Sequence, residues 1–375
     1  MAFHAFISPT PDESAAYKSL TDDLQDQARQ ILPDNPIEVV GSQRTGLATS
    51  LSDLDFRLSL PEYEKPVNER GPSTTRPKAL KASIRKLRRL IRGLSATNDY
   101  ERIELIFGRI PIISGIHRAT QLTVQIQALN DSSASREYAL NYLAEFPTLH
   151  PLYTLIKTTL EIRNLRNVHD GGLGAYSTFM LVVAALKKSE GAISRNNIAR
   201  QLLSALDFYA DTDFYRHGIS VDPPGLFRKV HGSEPSKHPK GATLADPILH
   251  GQARIARVNE VRPYLLCMQD PANPLNDLGA KAYNIKHVQA LFRVARTKLL
   301  ILFQKFDHLP PLKDQDNRWS QTAMLDPLVG ADYRWFQSRR ARIAQWGRVR
   351  SQNARSTPSV QKEASESLHA EAPQA

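Results

Sequence analysis

Gly41-Ser42-Gln43-Arg44-Thr45-Gly46-Leu47-Ala48-Thr49-Ser50-Leu51-Ser52-Asp53-Leu54-Asp55 decides the reading of this chain. A glycine–serine pair closes the apolar run Ile37, Val39, Val40, and two aspartates one residue apart follow it. On a strand, residues i and i+2 share a face. Asp53 and Asp55 then present two carboxylates side by side. Mg²⁺ is a hard ion that takes one or two carboxylates together with substrate phosphates. Glycine lets the backbone come close to a phosphate, and the amides at a following helix start favour anions. Together these features predict nucleotidyl transfer. The competing reading is a loop and a strand with two solvated aspartates. The apolar residues around the pair, Leu51, Leu54, Phe56 and Leu58, favour the functional one.

The chain has 375 residues, enough for two domains with sizeable cores. Its single cysteine, Cys267, excludes a disulfide frame and a cysteine-rich zinc site, and its apolar surroundings predict a buried structural thiol. No apolar run reaches membrane-span length. The N-terminus, with Asp12 and Glu13 close behind, resembles neither a secretory signal nor a transit peptide. The expectation is an intracellular protein with no membrane partner. The formal net charge is +11, which implies a polyanionic partner. The charge is not uniform. Arg76, Lys78, Lys81, Arg85, Lys86, Arg88, Arg89 and Arg92 cluster without an acidic residue among them. Leu80, Ile84, Leu87, Ile91 and Leu94 recur between them at helical spacing. This predicts an amphipathic helix whose cationic face meets phosphate; a plain solvated helix is the alternative. A second cationic stretch, 334–350, interleaves Trp335, Phe336 and Trp346 with arginines that include Arg339 and Arg340. It reads either as an RNA-binding segment or as a helix pinned to the body by its aromatics.

Along the chain, 11–32 is predicted helical and Ile37–Val40 is predicted strand. Further strands are expected at 53–60, 103–107 and 122–128, and 61–78 reads as loop. A mixed α/β domain therefore covers about 31–135. The pattern then turns helical at 152–166, 175–187, 197–209 and 286–306, with an exposed loop at 223–245. From about Ser351 the composition is that of a disordered tail.

Four blocks in order resemble the non-canonical poly(A) polymerases and terminal uridylyltransferases of the DNA polymerase β-like superfamily. They are Gly41-Ser42 through Asp55; Gly108-Arg109-Ile110-Pro111-Ile112-Ile113; Pro151-Leu152 through Lys157 with Gly171-Gly172-Leu173-Gly174-Ala175-Tyr176-Ser177; and Asp270-Pro271-Ala272-Asn273-Pro274-Leu275-Asn276-Asp277. The resemblance spans roughly 20–305. It implies an α+β fold: a nucleotidyltransferase palm domain with a mixed sheet at 31–135, and a helical central domain at 136–310. It also implies an N-terminal helix, 1–30, packed on the central domain, a basic C-terminal extension at 311–350 and a disordered tail at 351–375.

The implied reaction adds ribonucleotides to an RNA 3′ end without a template, using two Mg²⁺ (or Mn²⁺) ions. By position, Gly41 and Ser42 would hold the triphosphate, Asp53 and Asp55 would bind the metals, Lys157 would contact a phosphate, and Tyr176 would stack on the base. Read without the motif, Lys157 is a surface lysine on an amphipathic helix and Tyr176 a core aromatic. Asn276, followed by Asp277, stands where uridylyl-specific members often carry histidine, which leans toward ATP. Arg85, Arg88, Arg89, Arg92, Arg339 and Arg340 would contact RNA. A mitochondrial location follows by family analogy alone.

Three departures bear on activity. Gln125 stands where the family has a third aspartate, Ala175 where a serine often contacts phosphate, and Glu161 where a second lysine often sits. Asp131 could complete the site only in a different strand register. Two functions therefore compete, a third, a small-molecule nucleotidyltransferase, being disfavoured by the two basic patches. One is a poly(A) polymerase-like nucleotidyltransferase with weakened catalysis. The other is a catalytically degenerate member acting as an RNA-binding or scaffold subunit of an RNA-processing assembly.

Overall fold

The computed structural model describes residues 1–61, 77–108, 110–128, 133–231, 246–307 and 324–356. Arg76, Arg109, Asp131, most of the 223–245 loop and the tail beyond residue 356 lie outside the described residues. The chain divides into two compact units, Ser8–Asp131 with Tyr333–Ala375, and Met1–Ile7 with Ser132–Asp332. Short helix α1, Ala2–Ile7, belongs to the second unit.

The first unit is built on a five-stranded mixed sheet. Its strands are β1 Ile37–Val39, β2 Leu54–Leu58, β3 Tyr100–Ile106, β4 Ile112–His117 and β5 Thr123–Ala128. The spatial order is β1-β2-β5-β4-β3, and only β2 and β5 run parallel. Helix α2 (Pro11–Ile31) starts at a capping box. The Thr10 hydroxyl accepts from the Glu13 amide at 3.3 Å, while the Thr10 amide donates to Glu13 Oε2 at 2.6 Å. Short helix α3, Gly41–Thr45, follows β1, and α4, Pro77–Ala96, precedes β3. Leu20 and Leu24 of α2, Leu87, Leu90 and Leu94 of α4, and Leu54, Phe56, Ile113, Val124 and Ile126 of the sheet share one core. The alternation of burial along β2 and β5 fixes their register: Leu54, Phe56, Val124 and Ile126 face inward, so Asp55 and Gln125 face the other way.

The last helix of this unit corrects one expectation. Residues 334–350 are not an extension but the bulk of α11, Arg334–Ser356, which packs along α2. The two helices cross at Gly347, where a Cβ would lie 2.0 Å from the Asp12 carbonyl. The expected placement of residues 1–30 on the helical domain is likewise corrected: only α1 clusters there, and α2 joins the sheet because its buried stripe is part of the sheet's core.

The second unit carries α5 Ser133–Glu145, α6 Leu149–Glu161, α7 Ala175–Lys188, α8 Ile198–Asp211, α9 Pro247–Ile255 and α10 Ile285–Asp307. It also carries a four-stranded sheet that the helical expectation omitted. β6 His217–Ser220, β7 Gly225–Arg228, β8 Met268–Asp270 and β9 Asn273–Asp277 are ordered β7-β6-β8-β9. These strands have three to five residues, too short for alternation to declare itself in sequence. Lys229, buried behind β7, donates through Nζ to the carbonyls of Phe214 at 2.5 Å, Pro263 at 3.2 Å and Leu265 at 2.5 Å. Cys267 is a buried free thiol, as expected.

Candidate active site

In the first unit the turn after β1 brings the predicted residues together. Gly41 has φ +64, a left-handed conformation that glycine adopts without strain. A Cβ there would sit 2.4 Å from Asp55 Oδ2. The missing side chain is therefore what lets the start of α3 rest against the Asp55 carboxylate. The Val40 amide donates to the Asp55 carbonyl at 2.8 Å and locks the turn to β2. Ser42 lies in the first turn of α3.

Asp53 immediately precedes β2, and Asp55 lies on it. Parallel pairing puts Gln125 opposite Asp55, and Gln125 Nε2 donates to Asp53 Oδ2 at 3.5 Å. Three side chains, two carboxylates and one amide, thus converge on adjacent strands. The register is the one in which Gln125 faces Asp55.

The donor set can be tested against Mg²⁺ or Mn²⁺. Two carboxylates with their oxygens on one strand face, and a glycine surface held against one of them, suit a hard cation that brings its own phosphates. The amide adds a neutral oxygen but no charge. Among the described residues no group of three or more acidic, histidine or cysteine side chains could hold a metal. The residues fit the ion, with one negative charge fewer than three carboxylates would supply.

The turn leading to Asp53 is held from behind. The Tyr17 hydroxyl donates to the carbonyls of Ser50 at 3.1 Å and Ser52 at 2.8 Å. Burial pushes the Tyr17 phenol far up, and the Asp53 charge adds to this. Burial lowers the Arg339 guanidinium from its ordinary range, opposed by Tyr17 and Asp53.

In the second unit, Tyr176 stands in the first turn of α7, entered through Gly171 and Gly172. A Cβ on Gly172 would meet the Leu165 carbonyl at 2.4 Å. The Tyr176 hydroxyl donates to Asp270 Oδ1 at 3.1 Å, and the Ser177 hydroxyl to the Leu278 carbonyl at 2.9 Å. Asn276 Nδ2 donates to Asp270 Oδ2 at 2.9 Å. Asp270, buried on β8, therefore orients both Tyr176 and Asn276; its place at the head of the fourth block gave no sign of that role. Burial raises the Asp270 carboxyl above its ordinary value, against hydrogen bonds from Asn276, the Ala272 amide and Tyr176.

Two residues expected at the nucleotide have partners inside the protein. Asp277 is expected at the nucleotide, but its Oδ1 accepts from the amides of Met268 at 2.9 Å and Gly279 at 2.8 Å. It ties β9 to β8, and burial pushes its carboxyl up to about 6. Lys157 is not a surface lysine: it is buried on α6, with Nζ 3.9 Å from Glu161 Oε1. Glu161 also pairs with Arg166. His150, on the same helix, is pushed down to about 4 by burial, with the charges of His4 and Lys157 adding to it. Ala175 is the first residue of α7 and brings no hydroxyl.

The cationic faces divide. On α4, Lys78, Lys81, Arg85, Arg88, Arg89 and Arg92 are exposed and form no ion pair among the described residues. Several α11 cations are instead engaged by the rest of the unit, although Arg342 and Arg348 stay exposed. Arg340 pairs with Glu13, Arg348 with Asp12 and Arg350 with Asp23. Arg339 donates to the Gln121 carbonyl. Trp346 meets His117 edge-on at 5.3 Å. Of the two arginines expected at RNA, Arg340 is paired with buried Glu13, and Arg339 is half-buried against the Gln121 carbonyl and the Trp335 ring.

Residues 1–142 match the family described as "Poly(A) RNA polymerase, mitochondrial-like, central palm domain". Over 297 residues the chain is 26% identical to poly(A) RNA polymerase cid14 of Schizosaccharomyces pombe, covering 77% of this chain and 38% of that protein. The family match covers the first 142 residues, and over most of its length the chain is similar to non-canonical poly(A) polymerases. The polymerase core of TRAMP, an RNA surveillance complex, shares the fold of this chain with a TM-score of 0.66 at 20% identity, over 88% of this chain and 92% of that one. The Cid1 poly(U) polymerase with MgGTP bound superposes with a TM-score of 0.58 at 15% identity, over 80% and 92% of the two chains. Another relative, 23% identical over 79% of this chain and 66% of its own length, is named an inactive non-canonical poly(A) RNA polymerase, Trf4-2 of Drosophila melanogaster. The chain spans well under half the length of cid14.

Proposed function

We propose that this chain is a template-independent RNA 3′-terminal nucleotidyltransferase that moves a nucleoside monophosphate, AMP by preference, from a triphosphate to an RNA 3′-hydroxyl. The observation that carries the reading is the Asp53–Asp55 pair at β2 with Gly41 pressed against Asp55. In the reaction the 3′-hydroxyl oxygen bonds to the α-phosphorus, the bond to the bridging β-phosphate oxygen breaks, and pyrophosphate leaves. Asp53 and Asp55 would hold Mg²⁺ or Mn²⁺, which when bound offsets triphosphate charge and makes the attacking hydroxyl more acidic. Gly41 and Ser42 would receive the triphosphate, Lys157 would contribute positive charge to it, and Tyr176 would stack on the base.

The preference for ATP rests on Asn276. Its Nδ2 is engaged by Asp270, which turns Oδ1 away from that carboxylate as an acceptor. An exocyclic amine, as on adenine, complements an acceptor; the uracil O4 does not. The exposed α4 cations would bind the RNA phosphates.

A second reading is favoured by Gln125: a catalytically degenerate RNA-binding subunit. The relative named inactive supports its plausibility within the family. One assay separates the two. Purified protein is incubated with a short RNA, Mg²⁺ or Mn²⁺, and each triphosphate in turn. Extension, lost in Asp53→Ala/Asp55→Ala, supports the transferase. RNA binding without extension under any metal or triphosphate supports the subunit.

A further inference from the structure

Helix α11 turns part of its charge onto α2 and onto the turn that leads into β5. Arg340 donates from Nε to Glu13 Oε1 at 2.7 Å and from Nη2 to Glu13 Oε2 at 2.9 Å, a two-pronged pair. Nη2 also donates to the Ser8 carbonyl at 3.1 Å. The Glu13 side chain is 1% exposed and that of Arg340 14%. A carboxylate so deeply buried stays charged only because it is paired. Burial works against the Glu13 charge, but Arg340 and the Thr10 amide outweigh it and hold its carboxyl below the ordinary range.

The same carboxylate reaches the catalytic turn. Ser50 Oγ lies 3.2 Å from Glu13 Oε2 and 3.0 Å from the Ser8 carbonyl, so it links the 49–52 turn to both partners of Arg340. The turn closes on itself through the Thr49 amide to Ser52 Oγ at 2.8 Å and the Ser52 amide to the Thr49 carbonyl at 3.0 Å. Tyr17, one turn of α2 beyond Glu13, holds the carbonyls of Ser50 and Ser52. The next residue is Asp53. A parallel set of contacts reaches the other strand. Arg339 donates to the Gln121 carbonyl, and Arg342 to those of Ala119 at 2.6 Å and Arg118 at 3.0 Å. That turn leads into β5 and Gln125.

We propose that α11 is a positioning element for the metal-binding carboxylates, acting through Arg340, Glu13 and Ser50 on the turn that delivers Asp53. The proposal rests on the reading of Asp53 and Asp55 as metal ligands. The three residues bond to one another and to the Ser8 carbonyl. They set where the Asp53 carboxylate stands before the metal arrives, as outer partners do for ligands in metal sites.

The test measures binding of Mn²⁺ alone by electron paramagnetic resonance on the full chain, with thermal unfolding measured beside it. Ser50→Ala removes only the hydroxyl link. Glu13→Gln/Arg340→Met removes both buried charges together, which avoids stranding either one. Both variants are expected to remain folded and to weaken Mn²⁺ binding about tenfold or more, the range for loss of an outer partner. Affinity for RNA in the absence of metal should not change, and Arg340→Lys should keep part of the metal affinity. If the double variant does not fold, Ser50→Ala decides alone. Mn²⁺ affinity equal to wild type in folded Ser50→Ala, while Asp53→Ala/Asp55→Ala has lost it, overturns the positioning role and leaves the metal site standing. Mn²⁺ binding retained in Asp53→Ala/Asp55→Ala overturns the metal site and the positioning role with it.

Discussion

Asp55 and Gln125 lie opposite one another on the parallel strands β2 and β5, and the Gln125 amide reaches across to Asp53. An amide therefore occupies the place where a third carboxylate would complete a charged trio. At ~4 Å and an effective dielectric of ~20, one missing charge–charge interaction is about 4 kcal/mol.

Gln125→Asp should accordingly increase RNA extension, by up to roughly a thousandfold if the whole interaction is expressed in the transition state. The same change places three like charges together, so without metal the variant should unfold at lower temperature than wild type, and Mn²⁺ should raise its melting temperature more. Primer extension and thermal melts with and without Mn²⁺ check both halves. A wild type that is fully active and a variant no faster would mean that no carboxylate is needed at this position.

Gly41→Ala places a methyl group on Asp55 Oδ2 and a side chain on a left-handed residue. Backbone strain of this kind costs about 1–3 kcal/mol. Asp55 must move to make room, so metal affinity should fall along with stability. Urea denaturation and Mn²⁺ titration of the same preparation measure the two losses. Gly46→Ala provides the comparison: it carries a similar φ of +74 but has no atom within 4 Å of its Cβ position. It should lose stability and keep metal affinity.

Asp277 gives a pH dependence with a definite sign. Its folded carboxyl titrates at about 6 against an ordinary 3.8, chiefly because it is buried. Between those values the folded state keeps a proton that the unfolded chain releases. Its contribution to stability is full below pH 3.8, declines as pH rises through the window, and is flat above about 6. Two units correspond to roughly 3 kcal/mol. Asp277→Asn keeps the acceptor for the Met268 and Gly279 amides and removes the titration. The difference in unfolding free energy between variant and wild type should therefore shift in the variant's favour from pH 4 to pH 7. A difference independent of pH would show that the Asp277 carboxyl titrates alike in the folded and unfolded chain.

Changing Arg85, Arg88, Arg89 and Arg92 to glutamine should weaken RNA binding and flatten the slope of log affinity against log salt, by about 0.7 for each single-strand phosphate that is no longer neutralised. The arginines are exposed on α4, away from its buried leucines, so stability should hold. The parallel change of Arg339 and Arg340 should do the reverse. It should lower the melting temperature, because Arg340→Gln leaves Glu13 buried without its partner. Fluorescence anisotropy across a salt series, with melts alongside, distinguishes the two helices.

The local parts of this protein were written into its sequence. The alternation Leu54, Phe56, Leu58 against Asp53, Asp55 and Arg57 determines which face of β2 carries carboxylates, because a strand has period two. Thr10, Pro11 and Glu13 determine where α2 begins, because cap and helix are neighbours in sequence. The leucine stripe of α4 separates its apolar face from its cations for the same reason. Gln125 as the partner of Asp55 was also legible, through the order of the family's blocks.

What sequence could not give was the destination of charges whose partners are distant along the chain. Arg340 meets Glu13 across 327 positions, and Arg339 meets Gln121 across 218. Nothing local distinguishes an arginine facing solvent from one facing a buried glutamate, so α4 and α11 read alike and differ only once packed. Asp270 and Asp277 present the same case within one motif. The first orients Tyr176 and Asn276, while the second holds backbone amides. Composition determined that this chain is strongly basic; the tertiary structure decided which of its cations remain available, because burial and pairing are properties of the packed chain.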